Sequence, residues 1–579
     1  MNDHFQSIEE ITKKSISVLY NLEPCPELDF KYTKKEYTGD ITLILFPLSK
    51  KLKKNVEEIG KNIGNYVQNQ LKGLIQFSII EGFLNFLFKE SYYIHLLKRM
   101  LNTNFYNFKF SSKRIMIEYS SPNTNKPLHL GHVRNSLIGA SIAEILKMVG
   151  HKIIKIQIIN DRGIHICKSM IAWKKFGKGE TPDFVKMKGD HFVGKYYSLF
   201  DKIYNEEVKN LSKKNKNSIL NQARELLKKW ECGDPITRKI WKEMNQWVYN
   251  GFEETYKKLG ITFDKVEYES NVYRIGKKIV KEGLKKGIFF QKKDGSIWID
   301  LIKEGFEEKL LLRSDQTSVY ITQDIGTAVE RFRKYKIDRL IYIVGKEQDY
   351  HFQVLFSILK HLGFLWVNKL SHLSYEMVYL PSGIMKSREG NVIDADSLIL
   401  EMFSVAKTKF LKKYNKKQDK SSEIIGVGAL KYHFLKIDPR KKIIFYPEKS
   451  IDFKGKTGTY IQYTYSRIRS LERNFFNLCS LLNSCWSNIQ FDIYEKNMIK
   501  ILQIYPFILK KSALNLNPSL VANYVYEVSK TFNHLYQNKK LIDPLNVIYT
   551  NIRMNIIHVT GNVLKSGMNL LGIKMLDRM

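Results

Sequence analysis

Residues 114–161 read RIMIEYSSPNTNKPLHLGHVRNSLIGASIAEILKMVGHKIIKIQIIND. The apolar run Ile115-Met116-Ile117, closed by Glu118-Tyr119, predicts a buried strand. A polar, proline-bounded loop follows from Ser120 to Pro127. His129-Leu130-Gly131-His132 then opens a helix that runs from Val133 to Val149 and stops at Gly150. A second apolar run, Ile153 to Ile159, ends in Asn160-Asp161. Strand, helix and strand joined by short turns form a βαβ unit, which requires a parallel sheet. Ligands of such sheets bind beyond the carboxyl ends of the strands, where the loop Ser120 to His132 would lie.

Working outward, residues 1–105 read as a small α/β module. Asp40 to Phe46 is strand-like and Ser49 to Leu71 a lysine-rich amphipathic helix. Leu74 to Ile80 and Phe83 to Phe88 flank the turn Glu81-Gly82. Within residues 106–400, the segment from about 170 to 290 is helical, charged and aromatic and reads as an insertion. Strand signals return at Ser318 to Thr322, Arg339 to Val344 and Met377 to Leu380, which suits the second half of the same sheet. From Glu423 to Met579 the pattern is helical throughout. Residues 401–455 form a connecting stem and residues 456–579 a helical domain.

The 579 residues are 44% hydrophobic and 26% charged, so a packed core is available and global disorder is excluded. No stretch of about 18 uninterrupted apolar residues is present, which argues against a membrane span. The start, MNDHFQSIEEITKKS, lacks the apolar core of a secretory signal. Cys25, Cys167, Cys232, Cys479 and Cys485 lie scattered without a CxxC pair, which disfavours a disulfide framework or a thiolate zinc site. The formal charge of +36 favours a polyanionic partner such as nucleic acid. Drift toward A+T-rich codons explains excess lysine equally well, so charge alone decides little. The run Lys51 to Lys54 is by the same logic a solvated helix face first and an RNA contact second.

His129 and His132 could be zinc ligands on one helix face, but no Glu-x-x-His pattern or thiolate supports them. Their place between strand and helix suggests another use. Backbone amides at a helix N-terminus attract phosphate, and Gly131 allows a phosphate or an adenine to approach closely. Two imidazoles there can donate hydrogen bonds to a phosphoryl group as its charge redistributes, which suits adenylyl transfer.

Glu118-Tyr119-Ser120-Ser121-Pro122-Asn123-Thr124-Asn125-Lys126-Pro127-Leu128-His129-Leu130-Gly131-His132-Val133-Arg134 resembles the HIGH signature of class I aminoacyl-tRNA synthetases, in the form typical of arginyl-tRNA synthetases. The resemblance continues through Asn160-Asp161-Arg162-Gly163, the run from Lys188 to Tyr197 (KGDHFVGKYY), Asp438-Pro439-Arg440, Gly458-Thr459-Tyr460-Ile461-Gln462-Tyr463 and the terminal Leu576-Asp577-Arg578-Met579. Glu81-Gly82-Phe83-Leu84-Asn85-Phe86 resembles a motif of that family's N-terminal extension. The resemblance spans nearly the whole chain. It implies an α/β fold with a Rossmann-like parallel-sheet catalytic domain, an N-terminal tRNA-binding module, a helical insertion and an all-helical anticodon-binding domain.

The implied reaction joins arginine to ATP, releasing pyrophosphate, and passes the arginyl group to the 3′ end of tRNA(Arg). A guanidinium carries five donors and needs carboxylate partners when buried. By family position, Glu118, Tyr320 and Asp324 would hold the arginine side chain, and Asn123 and Gln348 its amino-acid end. Pro122, His129, Gly131 and His132 would hold ATP, with Mg2+ accompanying the nucleotide and no zinc. The second class I signature, KMSKS, is degenerate here: in Gly383-Ile384-Met385-Lys386-Ser387-Arg388 the two lysine positions hold Ile384 and Ser387. Lys126 is the expected substitute on the phosphates, helped by Met385, Lys386, Ser387 and Arg388. That degeneracy leaves a non-catalytic tRNA-binding relative as the alternative function. Another class I specificity and a smaller HxGH nucleotidyltransferase are disfavoured by the paired carboxylates and the appended RNA domains. Tyr460, Tyr463 and the terminal Met579 would meet the anticodon. The insertion is too small and helical for an editing domain, and the family implies a cytoplasmic monomer with no membrane partner.

Overall fold

A computed structural model of the chain describes residues 3–26, 28–33, 37–72, 74–102, 105, 112–210, 218–380, 383–384, 393–414, 419–476, 486 and 489–579. Its centre is a five-stranded sheet built from β1 (Arg114–Glu118), β2 (Lys152–Ile159), β3 (Lys265–Tyr268), β4 (Arg339–Gly345) and β5 (Leu370–Tyr375). The spatial order is β5-β4-β1-β2-β3 and every pairing is parallel. The chain winds outward from β1 in one direction and from β4 in the other, so a crevice opens between the carboxyl ends of those two strands. Ile115, Met116 and Ile117 on β1 and Leu340 and Ile341 on β4 are buried, as an interior parallel sheet requires.

Helix α1 (Leu130–Met148) follows β1 and packs beneath the sheet. Its polar side chains are structural bolts. Asn135 accepts from the Ser120 amide at 2.6 Å and donates to the Ile343 carbonyl at 2.7 Å, tying the loop after β1 to β4. Fully buried Arg134 donates to the carbonyls of Glu376, Met377, Pro439 and Lys441. Ser120 adopts a left-handed φ of 59°, which turns the chain sharply off the end of β1.

Several predicted elements differ. The region read as insertion contains β3: after four helices (Ile164–Phe176, Gly189–Asn210, Ile219–Glu231, Pro235–Lys258) the chain returns to the sheet at Lys265–Tyr268. Ser318 to Thr322 is not a sheet strand. Ser318 forms only an isolated bridge with Leu312, and Tyr320 begins helix α2 (Tyr320–Lys334). The fifth strand is Leu370–Tyr375, whereas Val378–Leu380 belongs to a separate small sheet with Gly383–Ile384 and Ile443–Ile444. That last pair interrupts the predicted helical run after Glu423, which otherwise holds through the helices Gly458–Phe476, Ile493–Gln503, Tyr505–Asn515, Ser519–Asn538 and Val547–Leu570.

In the N-terminal module, Phe30–Tyr32, Ile41–Ile44, Phe83–Phe88 and Ile75–Ile80 pair antiparallel in that order. Glu81 and Gly82 both have positive φ (48° and 80°), as a two-residue hairpin turn demands. The predicted helix Ser49 to Leu71 is two helices, Phe46–Leu52 and Val56–Gln70. Lys53 breaks it at φ 51° and Asn55 caps the second.

Helix Glu269–Lys285 crosses α2 where glycines meet: a Cβ on Gly276 would fall 1.9 Å from the Thr322 carbonyl oxygen, two residues before Asp324. Gly276→Ala therefore destabilises the chain by about 1–3 kcal/mol despite alanine's better helix propensity, read as a lower urea midpoint.

Candidate active site

The crevice between β1 and β4 is a cavity of about 530 Å³. Glu118, Asn123, Lys126, His129, Gly131, His132, Tyr320, Asp324 and Gln348 all line it, so residues spread over more than two hundred positions meet at one site. Asn123 bridges to Asn160 and so prolongs the pairing of β1 with β2 into the loop. Gln348 closes the short turn after β4. Pro122 is buried but does not line the cavity; its carbonyl accepts the Asn160 amide at 3.0 Å. Met385, Lys386, Ser387 and Arg388 lie outside the described residues.

His129 is the N-cap of α1, and the two histidines form a reciprocal capping box. The Gly131 amide donates to His129 Nδ1 at 3.1 Å, and the His129 amide donates to His132 Nδ1 at 3.2 Å. The Leu130 amide is taken by the Ile393 carbonyl at 3.2 Å. This corrects one expectation: the first amides of α1 are already satisfied and do not await a phosphate. A Cβ on Gly131 would press at 3.0 Å on the His129 ring, so the glycine makes room for that imidazole first. With both Nδ1 atoms accepting, the neutral rings carry their proton on Nε2. Burial, reinforced by Lys126, pushes His129 down to about 4; burial pushes His132 well below its ordinary value, reinforced by His129 and Lys126. The pair therefore offers two fixed, neutral N–H donors at physiological pH.

Lys126 is half-buried and has no ion-pair partner among the described residues. It also lines a second, open groove of about 920 Å³ that shares Asn123, Lys126 and His129 with the cavity. His165, Lys168, Lys195 and Tyr197 on the insertion helices supply its cationic and aromatic wall.

The acidic side is more elaborate than the sequence suggests. Glu118 does not stand free: buried Arg331 on α2 donates Nη1 to its Oε2, and Arg331 Nε donates to Glu267 at 3.0 Å. Burial raises the Glu118 carboxyl, and Arg331 opposes that rise. Asp324 is paired with His351 at 2.6 Å, and this contact lifts His351 above its ordinary value against the effect of burial. Glu269, which sequence reasoning missed, also lines the cavity; burial pushes it up to about 8 although Arg162 lies 3.9 Å away. Arg331 follows Asp324 by two helical turns on the same face, a relation visible only once Tyr320–Lys334 is known to be a helix. His351 and Glu269 carry no signal in the sequence.

Among the described residues one group has metal-like spacing, Asp190, His191 and Asp396. Lys188 already occupies it, its ammonium 3.1 Å from Asp190 and 2.6 Å from Asp396. In the C-terminal helices, Tyr460 is half-buried and its hydroxyl accepts from Asn533 at 2.9 Å, while Arg467 stacks 5.0 Å from the Tyr463 ring. The chain end packs beside them: Ser466 donates to the Leu576 carbonyl at 2.5 Å, and Met579 touches the core.

A doubly wound sheet with a histidine-capped helix at its switch point, joined to an all-helical C-terminal part, defines a class I synthetase architecture. Residues 96–446 match the family of class I tRNA synthetase (R) catalytic domains, and residues 461–579 match the DALR anticodon binding domain. Arginine--tRNA ligase of Bacteroides fragilis is 46% identical over 97% of this chain and 98% of its own length; that of Flavobacterium psychrophilum is 45% identical over 99% and 100%. Solved structures of similar fold include Thermus thermophilus arginyl-tRNA synthetase (TM-score 0.79, 21% identity, covering 99% of this chain and 100% of that one) and the Plasmodium falciparum enzyme (TM-score 0.75, 20% identity, covering 100% of each chain). The chain belongs to the arginine–tRNA ligase family.

Histidine-selective NMR of the labelled chain checks the electrostatics of the site. His129 stays a neutral Nε2–H tautomer until pH approaches about 4, whereas His351 gains its proton above its ordinary 6.5.

Proposed function

We propose that the chain charges tRNA(Arg): it activates L-arginine with ATP and transfers the arginyl group to the 3′ end of the tRNA. The observation that carries this is the meeting of Glu118, Asp324, the two capped histidines and Lys126 in one cavity. In the first step a carboxylate oxygen of arginine bonds to the α-phosphorus of ATP, and the bond from that phosphorus to the pyrophosphate oxygen breaks. Nε2–H of His129 and of His132 meet the charge that develops on the phosphoryl oxygens. A preorganised donor of this kind is worth about 3–4 kcal/mol in the transition state. Lys126 meets the departing pyrophosphate. In the second step a hydroxyl at the 3′ end of the tRNA attacks the arginyl carbonyl and AMP leaves.

Glu118, Asp324 and Tyr320 face the guanidinium in this scheme, with Asn123 and Gln348 at the amino-acid end. Mg2+ would accompany the nucleotide and neutralise charge on its phosphates; the Asp190-His191-Asp396 group is not its seat, being filled by the Lys188 ammonium. The single-stranded 3′ end reaches the adenylate through the groove that adjoins the cavity at Lys126 and His129, where lysines and tyrosines suit a phosphodiester backbone with stackable bases. Residues 1–105 and 456–579 carry the remaining tRNA contacts, the second through Tyr460, Tyr463 and the chain end, with residues 401–455 as the stem. The enzyme is cytoplasmic and monomeric in this scheme; among the described residues no helix is long and apolar enough to cross a membrane.

Two measurements test it. ATP–pyrophosphate exchange, run with tRNA(Arg) present, proceeds with arginine and not with lysine or citrulline, because unpaired carboxylates and missing donors reject them by about 10⁴-fold. Lys126→Ala lowers that exchange by about 10²-fold or more while tRNA affinity changes far less. Undiminished exchange in this variant would remove Lys126 from the pyrophosphate.

A further inference from the structure

Asp324 and Arg331 share one face of α2, and only Asp324 reaches the cavity. Arg331 lies behind it, fully buried, where it joins three strands of the sheet. It donates to Glu118 on β1 and to Glu267 on β3, and its guanidinium lies 6.0 Å from the Tyr342 ring on β4. Its Nη2 has no hydrogen-bond partner among the described residues. We propose that Arg331 is a positioning residue for arginine recognition: by holding Oε2 of Glu118 it turns that carboxylate so that Oε1 serves the substrate's guanidinium. The proposal goes further than, and rests on, the assignment of this cavity to arginine.

Three observations support it. Oε1 is the oxygen that accepts from Ser121, at 3.3 Å, and Ser121 lines the cavity. Glu118 is faced by Arg331 and Asp324 from α2, by Glu267 from β3 and by Tyr342 from β4, and within that set Arg331 brings the one positive charge. Without it, burial and two neighbouring carboxylates would drive Glu118 toward its neutral form, which has no charge to offer a guanidinium. Finally, a buried ion pair is a poor device for stability alone. An apolar side chain of similar volume usually serves as well or better, and an unpartnered buried donor adds a further cost. Arginine at this position is better explained by what it does to Glu118 than by packing.

The test is ATP–pyrophosphate exchange by the full chain with tRNA(Arg), measured against arginine concentration from about pH 5.5 to 8. Arg331→Met raises KM for arginine about 10- to 100-fold with kcat little changed. The rise steepens as pH falls, because without Arg331 the burial and the carboxylates around Glu118 raise its carboxyl further. Glu267→Gln leaves the Arg331–Glu118 contact in place and removes one carboxylate that disfavours the ionised Glu118, so KM for arginine does not rise at any pH. A KM that rises equally at every pH, or equal damage from Glu267→Gln, would overturn the proposal and leave Arg331 as a packing residue. Should Arg331→Met fail to fold, Arg331→Lys decides: it retains the charge but not the fork, and a KM raised several-fold at constant kcat supports positioning while an unchanged KM overturns it. Glu118→Gln and Asp324→Asn serve as controls. If neither raises KM, arginine binds elsewhere and the cavity assignment fails; if both do and the Arg331 variants do not, only this inference falls.

Discussion

The parallel pairing of β1 with β4 is the constraint on which the site depends. Register places Glu118 beside Tyr342, so the chain leaves the sheet at the same edge from two strands that belong to different halves of the sequence. One exit carries the loop from Ser120 to the capped histidines, and the other carries Gln348 and His351. Neither half can form the cavity alone. Asn135 makes the pairing specific at the point of use, because it bonds both the loop after β1 and the last turn of β4. A shift of register would break both bonds and bury an unsatisfied amide, a cost of about 1–3 kcal/mol for each group.

Within that frame the two sides of the cavity solve opposite electrostatic problems. On the side proposed for the nucleotide, burial and the backbone amides held at Nδ1 leave two histidines as neutral donors. Their role as helix caps and their role as donors are one arrangement, since the capping bond is what turns Nε2–H outward. The only cation that side presents among the described lining residues is Lys126. On the side proposed for the amino acid the cavity presents carboxylates. The protein keeps Asp324 partly exposed beside His351 and backs Glu118 with Arg331. Both carboxylates thus have a basic partner, an imidazole at the partly exposed one and a guanidinium at the buried one.

How much of this is legible in the sequence follows from burial. The βαβ unit is plain because β1 carries the run Ile115-Met116-Ile117 and β2, though Lys155 and Gln157 interrupt it, is mostly isoleucine, both inside the sheet. The edge strands are not. Lys265–Tyr268 is mostly solvent-facing, and Leu370–Tyr375 interleaves serine and histidine with its apolar residues, as strands hydrogen-bonded on one side can. Ser318 to Thr322 has the composition of a strand, yet Ile321, Ile325 and Ala328 are buried at helical spacing, and that packing outweighs local β preference. In the site, Glu118 and Asp324 are legible through the motifs around them. Arg331 is hidden in Glu330-Arg331-Phe332-Arg333-Lys334, which reads as the exposed basic end of a helix, and nothing local distinguishes the buried arginine from its exposed neighbour Arg333.

The same comparison of magnitudes explains how the outer parts are held. The N-terminal module docks on the C-terminal helices through Lys500 with Asp40 and Lys496 with Glu90. Partly exposed pairs of this kind are worth only about 0–1 kcal/mol each, too little to fix one domain on another. The stronger terms are buried. Tyr93 is almost fully covered and meets Phe491 at 6.1 Å, and the Phe491 amide donates to Glu90 at 2.9 Å. Helix α1 completes the connection from the other side, where Ser141 donates to the Leu570 carbonyl at 2.9 Å. The helix that begins at the capped histidines thus meets the C-terminal domain along its middle, and that domain in turn grips the N-terminal module. Salt can loosen the charged rim of this assembly, but the aromatic and backbone contacts beneath it hold the module against the helices as a fixed surface instead of a tethered arm.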